Sequence, residues 1–275
     1  MIHVENQEEK EGEEYKMDIK ILNQDKEKLS FVLKGIDFVT ANTIRRLVVN
    51  EVPTMAIDRA SVSKNSSALY DEMLVHRLGL VPFTTDLKSY TLPSECKCKG
   101  KGCSLCQLTM ILKVKGPCNV YASDIKTDDA KVKPVYENIL IVKLLKDQEI
   151  DLEAVAILGK GKEHMKFSPG LLYYKSYPQI KVLQQKDGKK IYESCPRKVF
   201  KLEGDKVKVV DEKECILCNA CTAVSKNIEV TGSDNDFIVT LESWGQLKPK
   251  DILNEAVKIY DDKLGEFEKL IKKLK

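Results

Sequence analysis

Phe38-Val-Thr-Ala-Asn-Thr-Ile-Arg-Arg-Leu47-Val-Val-Asn-Glu51-Val-Pro53-Thr-Met-Ala-Ile57 is the stretch on which the fold turns. Thr40 is expected to cap a helix whose Ala41, Ile44, Leu47 and Val48 share one face. Val39, just before the cap, is placed to staple Ile44, and Pro53 ends the helix. An apolar face of this kind must pack on something. Upstream, Met17-Asp-Ile-Lys-Ile21 and Leu29-Ser-Phe-Val-Leu33 alternate apolar and polar residues around a polar turn at 23–28, the pattern of a hairpin of half-buried strands. Downstream, from Pro53 to about Ser168, the pattern changes to short strands, among them Leu108 to Lys115 and Ile139 to Lys146, with one short helical stretch, Glu72 to Arg77. That segment reads as an inserted β-rich domain. Tyr173 to Leu183 is again strand-like, and a lysine-rich turn, Gln184 to Lys190, leads into residues 195–221, too loop-rich to fold without a metal. Phe237 to Glu242 supplies another strand, and Pro249 opens a final helix at the first-turn position that proline prefers. The expected class is α+β.

In the final helix Leu253, Val257, Tyr260, Leu264, Phe267, Ile271 and Leu274 recur at alternating steps of four and three, a heptad-like seam. Helical to its end, the segment would be about 40 Å long, more than a small domain of its own easily covers. Two readings stay open: an amphipathic helix lying on its own sheet, or one that meets a helix of another chain.

An apolar share of 43% with 32% charged residues describes an ordinary globular chain, and no apolar run approaches the roughly 20 residues that span a bilayer. Residues 1–16 lack the basic-then-apolar layout of a secretory signal, so a cytoplasmic, reducing setting is expected. The same segment holds two lysines against six glutamates and is expected to be disordered; its net −4 leaves +7 on the remainder of a chain whose total is +3. That surplus is too thin for an independent, sequence-specific DNA binder. No phosphate-binding glycine loop, nucleophile elbow or paired-aspartate motif occurs, and the histidines at 3, 76 and 164 lack metal-like neighbours, so catalysis by this chain alone is not expected.

Of nine cysteines, eight fall in two tight groups, which in a reducing compartment favours metal ligation over disulfides; Cys118 reads as a small core residue. Cys215-Ile-Leu-Cys218-Asn-Ala-Cys221 has the two-residue spacings with which bacterial ferredoxins grip a cubane. The ferredoxin run continues to a further cysteine that serves a second cluster; here that position is Ser225. Cys195, followed by Pro196, is the available fourth ligand, so Cys195, Cys215, Cys218 and Cys221 are assigned to one iron–sulfur cluster, [4Fe–4S] or its [3Fe–4S] derivative. A four-cysteine zinc site is the alternative. Cys96-Lys-Cys98-Lys-Gly-Lys-Gly-Cys103-Ser-Leu-Cys106 pairs its thiols closely on a glycine- and lysine-rich loop, which suits tetrahedral zinc, since lysine charge offsets the thiolates.

Residues 38–47 and 51–57 resemble the helix and strand that open the assembly domain of the alpha-like RNA polymerase subunits, a family including bacterial alpha, the third-largest eukaryotic polymerase II subunit and their archaeal counterpart. Asn65-Ser-Ser67, Asp71-Glu72 and His76-Arg77-Leu-Gly-Leu-Val-Pro82 are similar to the eukaryotic and archaeal branch. Glu242-Ser-Trp-Gly245, Pro249, Ile252-Leu253 and Ala256 resemble its closing strand and dimerisation helix. The resemblance runs from about 17 to 275. It implies a dimerisation domain (17–51, 171–177 and 234–275) interrupted by an inserted domain with a zinc loop (52–170) and a ferredoxin-like iron–sulfur domain (178–233). It further implies a non-catalytic platform that heterodimerises with small subunit L, binds small subunits N and P, and nucleates assembly of the two large subunits. On this reading Ile44 and Leu47 join the seam at the partner interface, and Arg45 and Arg46 touch a large subunit. The acidic residues before Met17 have no counterpart in the family, and the zinc loop carries one extra residue between its pairs. The rival is a ferredoxin-like electron carrier, against which stand a cluster motif confined to about a tenth of the chain and the lack of any flavin or nicotinamide fingerprint.

Overall fold

Asp37, not Thr40, opens the first helix: its carboxylate accepts the Thr40 amide at 2.8 Å, and helical structure begins at Phe38. Both residue types can cap; the choice falls to whichever carbonyl first enters the helical ladder, and here Ala41 N–H donates to the Asp37 carbonyl. A computed structural model describes residues 17–274, and the expectation of disorder for residues 1–16 lies outside them. In chain order the elements are β1 (Asp18–Gln24), β2 (Lys28–Lys34), α1 (Phe38–Asn50), β3 (Pro53–Asn65), α2 (Asp71–Gly79), β4 (Gln107–Lys115), β5 (Cys118–Tyr121), β6 (Lys126–Thr127), β7 (Leu140–Leu144) and β8 (Glu149–Lys160). There follow β9 (Gly170–Val182), α3 (Gly188–Ser194), β10 (Phe200–Glu203), β11 (Lys206–Val209), α4 (Ala220–Val224), β12 (Ile228–Ser243) and α5 (Pro249–Lys272). The class is α+β, and the described residues divide into two units, one of 17–22, 30–41 and 174–239, the other of 23–29, 42–173 and 240–274.

The first unit holds most of a sheet ordered β1-β2-β12-β9 and the second cysteine group. The expected opening hairpin forms, but Ile19 and Ile21 of β1 stay 58% and 59% exposed. Alternation reports which side chains share a face, not whether anything covers that face. Residues 195–221 carry more regular structure than their composition suggested: β10 and β11 pair antiparallel, from Phe200 opposite Val209 to Glu203 opposite Lys206. The expected turn at 184–190 already contains the start of α3. Buried Ile191, Val199, Phe200, Val207 and Ile228 pack with Cys215 and Cys221 in a small core.

In the second unit a sheet ordered β3-β8-β4-β6 and the pair β5-β7 enclose the main core, closed by α2 through its fully buried Leu74 and Leu78. Here the expected short strands are corrected: β3 has 13 residues and β8 has 12. Register shifts between Ile57 and Arg59 and between Val62 and Lys64 break the two-residue period of β3. In β8 the inward positions at 154 and 156 are alanines, which carry little β signal although both are buried. Cys118 packs half-buried against this core.

The Asn65-Ser-Ser67 motif builds the turn into α2. Asn65 Nδ2 donates to the Leu69 carbonyl at 2.9 Å and to Asp71 Oδ1 at 2.7 Å, while its Oδ1 accepts the Ser67 amide and hydroxyl. Ser243 and Gly245 form the turn into α5: Ser243 Oγ accepts the Gly245 amide and donates to the Leu247 carbonyl, and Gly245 sits at φ 90°, open to glycine at little steric cost. His164 also has a structural role, its Nδ1 accepting the Lys166 amide at 3.0 Å.

Candidate metal centres and helical seam

The 96–106 loop brings its four thiols together just before β4. Sγ separations are 3.4 Å for Cys96–Cys98, 3.5 Å for Cys96–Cys103, 3.5 Å for Cys98–Cys106 and 3.8 Å for Cys103–Cys106. All four sulfurs lie within 4.8 Å of one another. Zinc–sulfur bonds of about 2.3 Å place tetrahedral sulfurs about 3.8 Å apart, so the cage fits a single tetrahedral ion. The backbone accomplishes this with left-handed residues at Lys99, Gly100 and Gly102, and with amides that turn back within each pair: Lys99 N–H to Cys96 O and Cys106 N–H to Cys103 O. The thiols are electrostatically unequal: the Cys98 amide and thiol hold Cys96 down to about 6, whereas burial pushes Cys106 up to about 12. Four thiolates this close repel one another, and a divalent cation is the species that would let all four ionise.

The second group is built differently. Cys195 caps the C-terminus of α3, Cys215 follows a 3-10 turn at Glu212–Glu214, Cys218 is exposed, and Cys221 sits in α4. All four line a small apolar pocket of about 10 Å³ whose other walls include Pro196, Val199, Phe200 and Val230. Among the described residues the 96–106 group is the one whose ligand atoms all lie within 4.8 Å of one another. Four thiols around one apolar pocket are a donor set that fits a multi-iron cluster, where each thiolate takes a different corner. Backbone amides already face the sulfurs: Val199 N–H donates to Cys195 Sγ and Leu217 N–H to Cys215 Sγ, each at 3.4 Å. Leu217 and Asn219 adopt left-handed conformations at φ 55° and 57°, an uncommon backbone for side-chain-bearing residues that curls the loop around the pocket. Burial raises the Cys221 thiol, which a metal would have to offset. Ser225 is occupied elsewhere, its hydroxyl donating to Asp187 at 3.2 Å and accepting the Asn227 amide.

Two charges, one in each unit, have partners that no sequence signal pointed to. Lys175, half-buried on β9, donates from Nζ to the carbonyls of Lys213 (2.5 Å) and Cys215 (2.7 Å). Glu51, at the end of α1, faces Lys160, Lys162 and, on α5, Lys263, at 3.6, 3.3 and 3.1 Å. A lysine in a strand or a glutamate after a helix resembles any surface charge until distant segments converge on it.

On α5 only Pro249, Ile252 and Ala256 are buried. The expected seam lies open: Val257 is 51% exposed, Leu264 49%, Phe267 61% and Ile271 45%, with Tyr260 and Leu274 also exposed and Leu253 half-buried. On α1, Ile44 is half-buried and Leu47 is buried inside the chain. Arg46 is exposed, while Arg45 donates from Nε to Asn42 Oδ1 at 2.9 Å.

No described helix is long and apolar enough to cross a membrane. Residues 57–172 match the RNA polymerase Rpb3/RpoA insert domain. The chain is 40% identical to DNA-directed RNA polymerase subunit Rpo3 of Methanosphaera stadtmanae, over 90% of this chain and 96% of that protein. It is 38% identical to Rpo3 of Archaeoglobus fulgidus (94% and 98%) and 33% identical to Rpo3 of Pyrococcus furiosus (94% and 98%). Similarity of this extent, together with the insert domain seen in the fold, shows that the chain belongs to the archaeal Rpo3 family, structural subunits of DNA-directed RNA polymerase.

Proposed function

We propose that this chain is the platform on which its polymerase assembles: it pairs with small subunit L through the α5 seam, carries subunits N and P, and receives the two large subunits, one at Arg45 and Arg46. The dimerisation domain on this reading comprises 17–51, 171–177 and 234–275. The observation that carries the proposal is the open seam. Leu264, Phe267 and Ile271 stand 45–61% exposed along a helix that extends about 36 Å, while its own unit buries only the first two turns. An apolar stripe of this length is a docking surface by its composition.

The same reading places one zinc in the 96–106 cage and one iron–sulfur cluster, [4Fe–4S] or [3Fe–4S], on Cys195, Cys215, Cys218 and Cys221. Contracted sulfurs support the first and an apolar pocket ringed by four thiols supports the second. Each metal holds together a segment that lacks a large core of its own. The assembly reading is tested by producing the chain with and without the smaller subunit. A 1:1 complex is expected with it and self-association without it; a monodisperse, stable lone monomer overturns the proposal.

A further inference from the structure

Lys175 is half-buried, and among the described residues no carboxylate pairs with it; both of its hydrogen bonds go to main-chain carbonyls, those of Lys213 and Cys215. Its charged neighbours are Glu214, Arg197 and Asp211. Of these, Glu214 is already engaged by the Arg197 guanidinium at the pocket rim. A cation drawn out of water without a partnered anion is costly. Four thiolates outweigh the positive charge of an iron–sulfur core, so a cluster in the adjacent pocket is anionic, and more so when reduced.

We infer that Lys175 is the positioning residue that compensates the charge of the iron–sulfur cluster and raises its reduction potential. The inference rests on the iron–sulfur reading of Cys195, Cys215, Cys218 and Cys221. By holding two carbonyls of the ligand loop, the ammonium keeps its charge on the strand side of Cys215, where it stabilises the reduced cluster more than the oxidised one.

The test compares Lys175→Gln, which keeps a donor for the carbonyls without the charge, and Lys175→Arg, which keeps both. Full-length chains are purified anaerobically with their partner subunit, assayed for iron and sulfide, and titrated redox-optically through the visible charge-transfer band. Lys175→Gln should shift the reduced-to-oxidised ratio at fixed poise at least tenfold toward oxidised, about 59 mV for a one-electron couple, with Lys175→Arg near wild type. Cluster loss in Lys175→Gln alone also supports the inference. A wild-type midpoint in a fully loaded Lys175→Gln overturns it, as does equal loss in both variants. A wild-type protein without iron overturns the underlying cluster assignment instead.

Discussion

Placing glutamate at both Leu264 and Phe267 should dissolve the proposed heterodimer while leaving the chain itself as stable as before. The two side chains are 49% and 61% exposed on α5. Full burial of a large apolar side chain contributes about 1.5–3 kcal/mol, so covering the half still open contributes about 1–1.5 kcal/mol for each, or about 2–3 for the pair. Two carboxylates buried without partners add a penalty of about 1–3 kcal/mol apiece. The total, about 4–9 kcal/mol, weakens association by at least several hundredfold. Within the lone chain the same substitutions fall on water-facing positions, where changes stay within about 0.5 kcal/mol each. Calorimetric titration of the smaller subunit reads the first effect and urea unfolding of the lone chain the second, with metal content as a control. An affinity within tenfold of wild type would refute the seam as the interface. Lost chain stability exceeding about 2 kcal/mol would show that the seam is covered from within.

Other outcomes follow from the metal sites and from Glu51. Replacing Cys103 and Cys106 by serine should remove about one zinc per chain and loosen residues 90–110 with iron unchanged, as read by elemental analysis and hydrogen exchange; wild-type protein grown in ample zinc yet lacking the metal would count against the cage. Cys195→Ser should bleach or convert the charge-transfer spectrum, since no other cysteine lines that pocket beyond Cys215, Cys218 and Cys221, and an unchanged spectrum would sink the four-ligand assignment. Burial pushes the Glu51 carboxyl up, but Lys263 and Lys162 outweigh it and hold the group below its ordinary 4.5. A depressed folded-state value means that Glu51 stabilises the fold above that pH and ceases to do so as the pH falls through the folded value. Glu51→Gln should therefore cost about 1–3 kcal/mol at pH 7 and little at acid pH, and a pH-independent cost would exclude the ionic account.

Local chemistry was legible in the chain alone. Proline at 249, the four-three recurrence of Leu253 to Leu274 and the cysteine spacings each depend on residues near one another in sequence, and each reappears as a helix start, an open stripe and two thiol groups. The family motifs were readable for the same reason, as short runs such as 65–67 and 242–245 whose hydrogen bonds close locally. Cap choice and strand length were less legible. Asp37 and Thr40 are both good caps, and two bulges scrambled the alternation of β3. What tertiary structure alone decided is distance and coverage. Spacing could not separate a cage of sulfurs 3.4–3.8 Å apart from four thiols set around an apolar pocket, because backbone left-handed at Lys99 or Leu217 sets where each thiol points. Nor could it reveal Glu51 beneath three lysines or Lys175 on the Cys215 carbonyl, because those charges meet only when segments 40 to 212 residues apart in the chain converge.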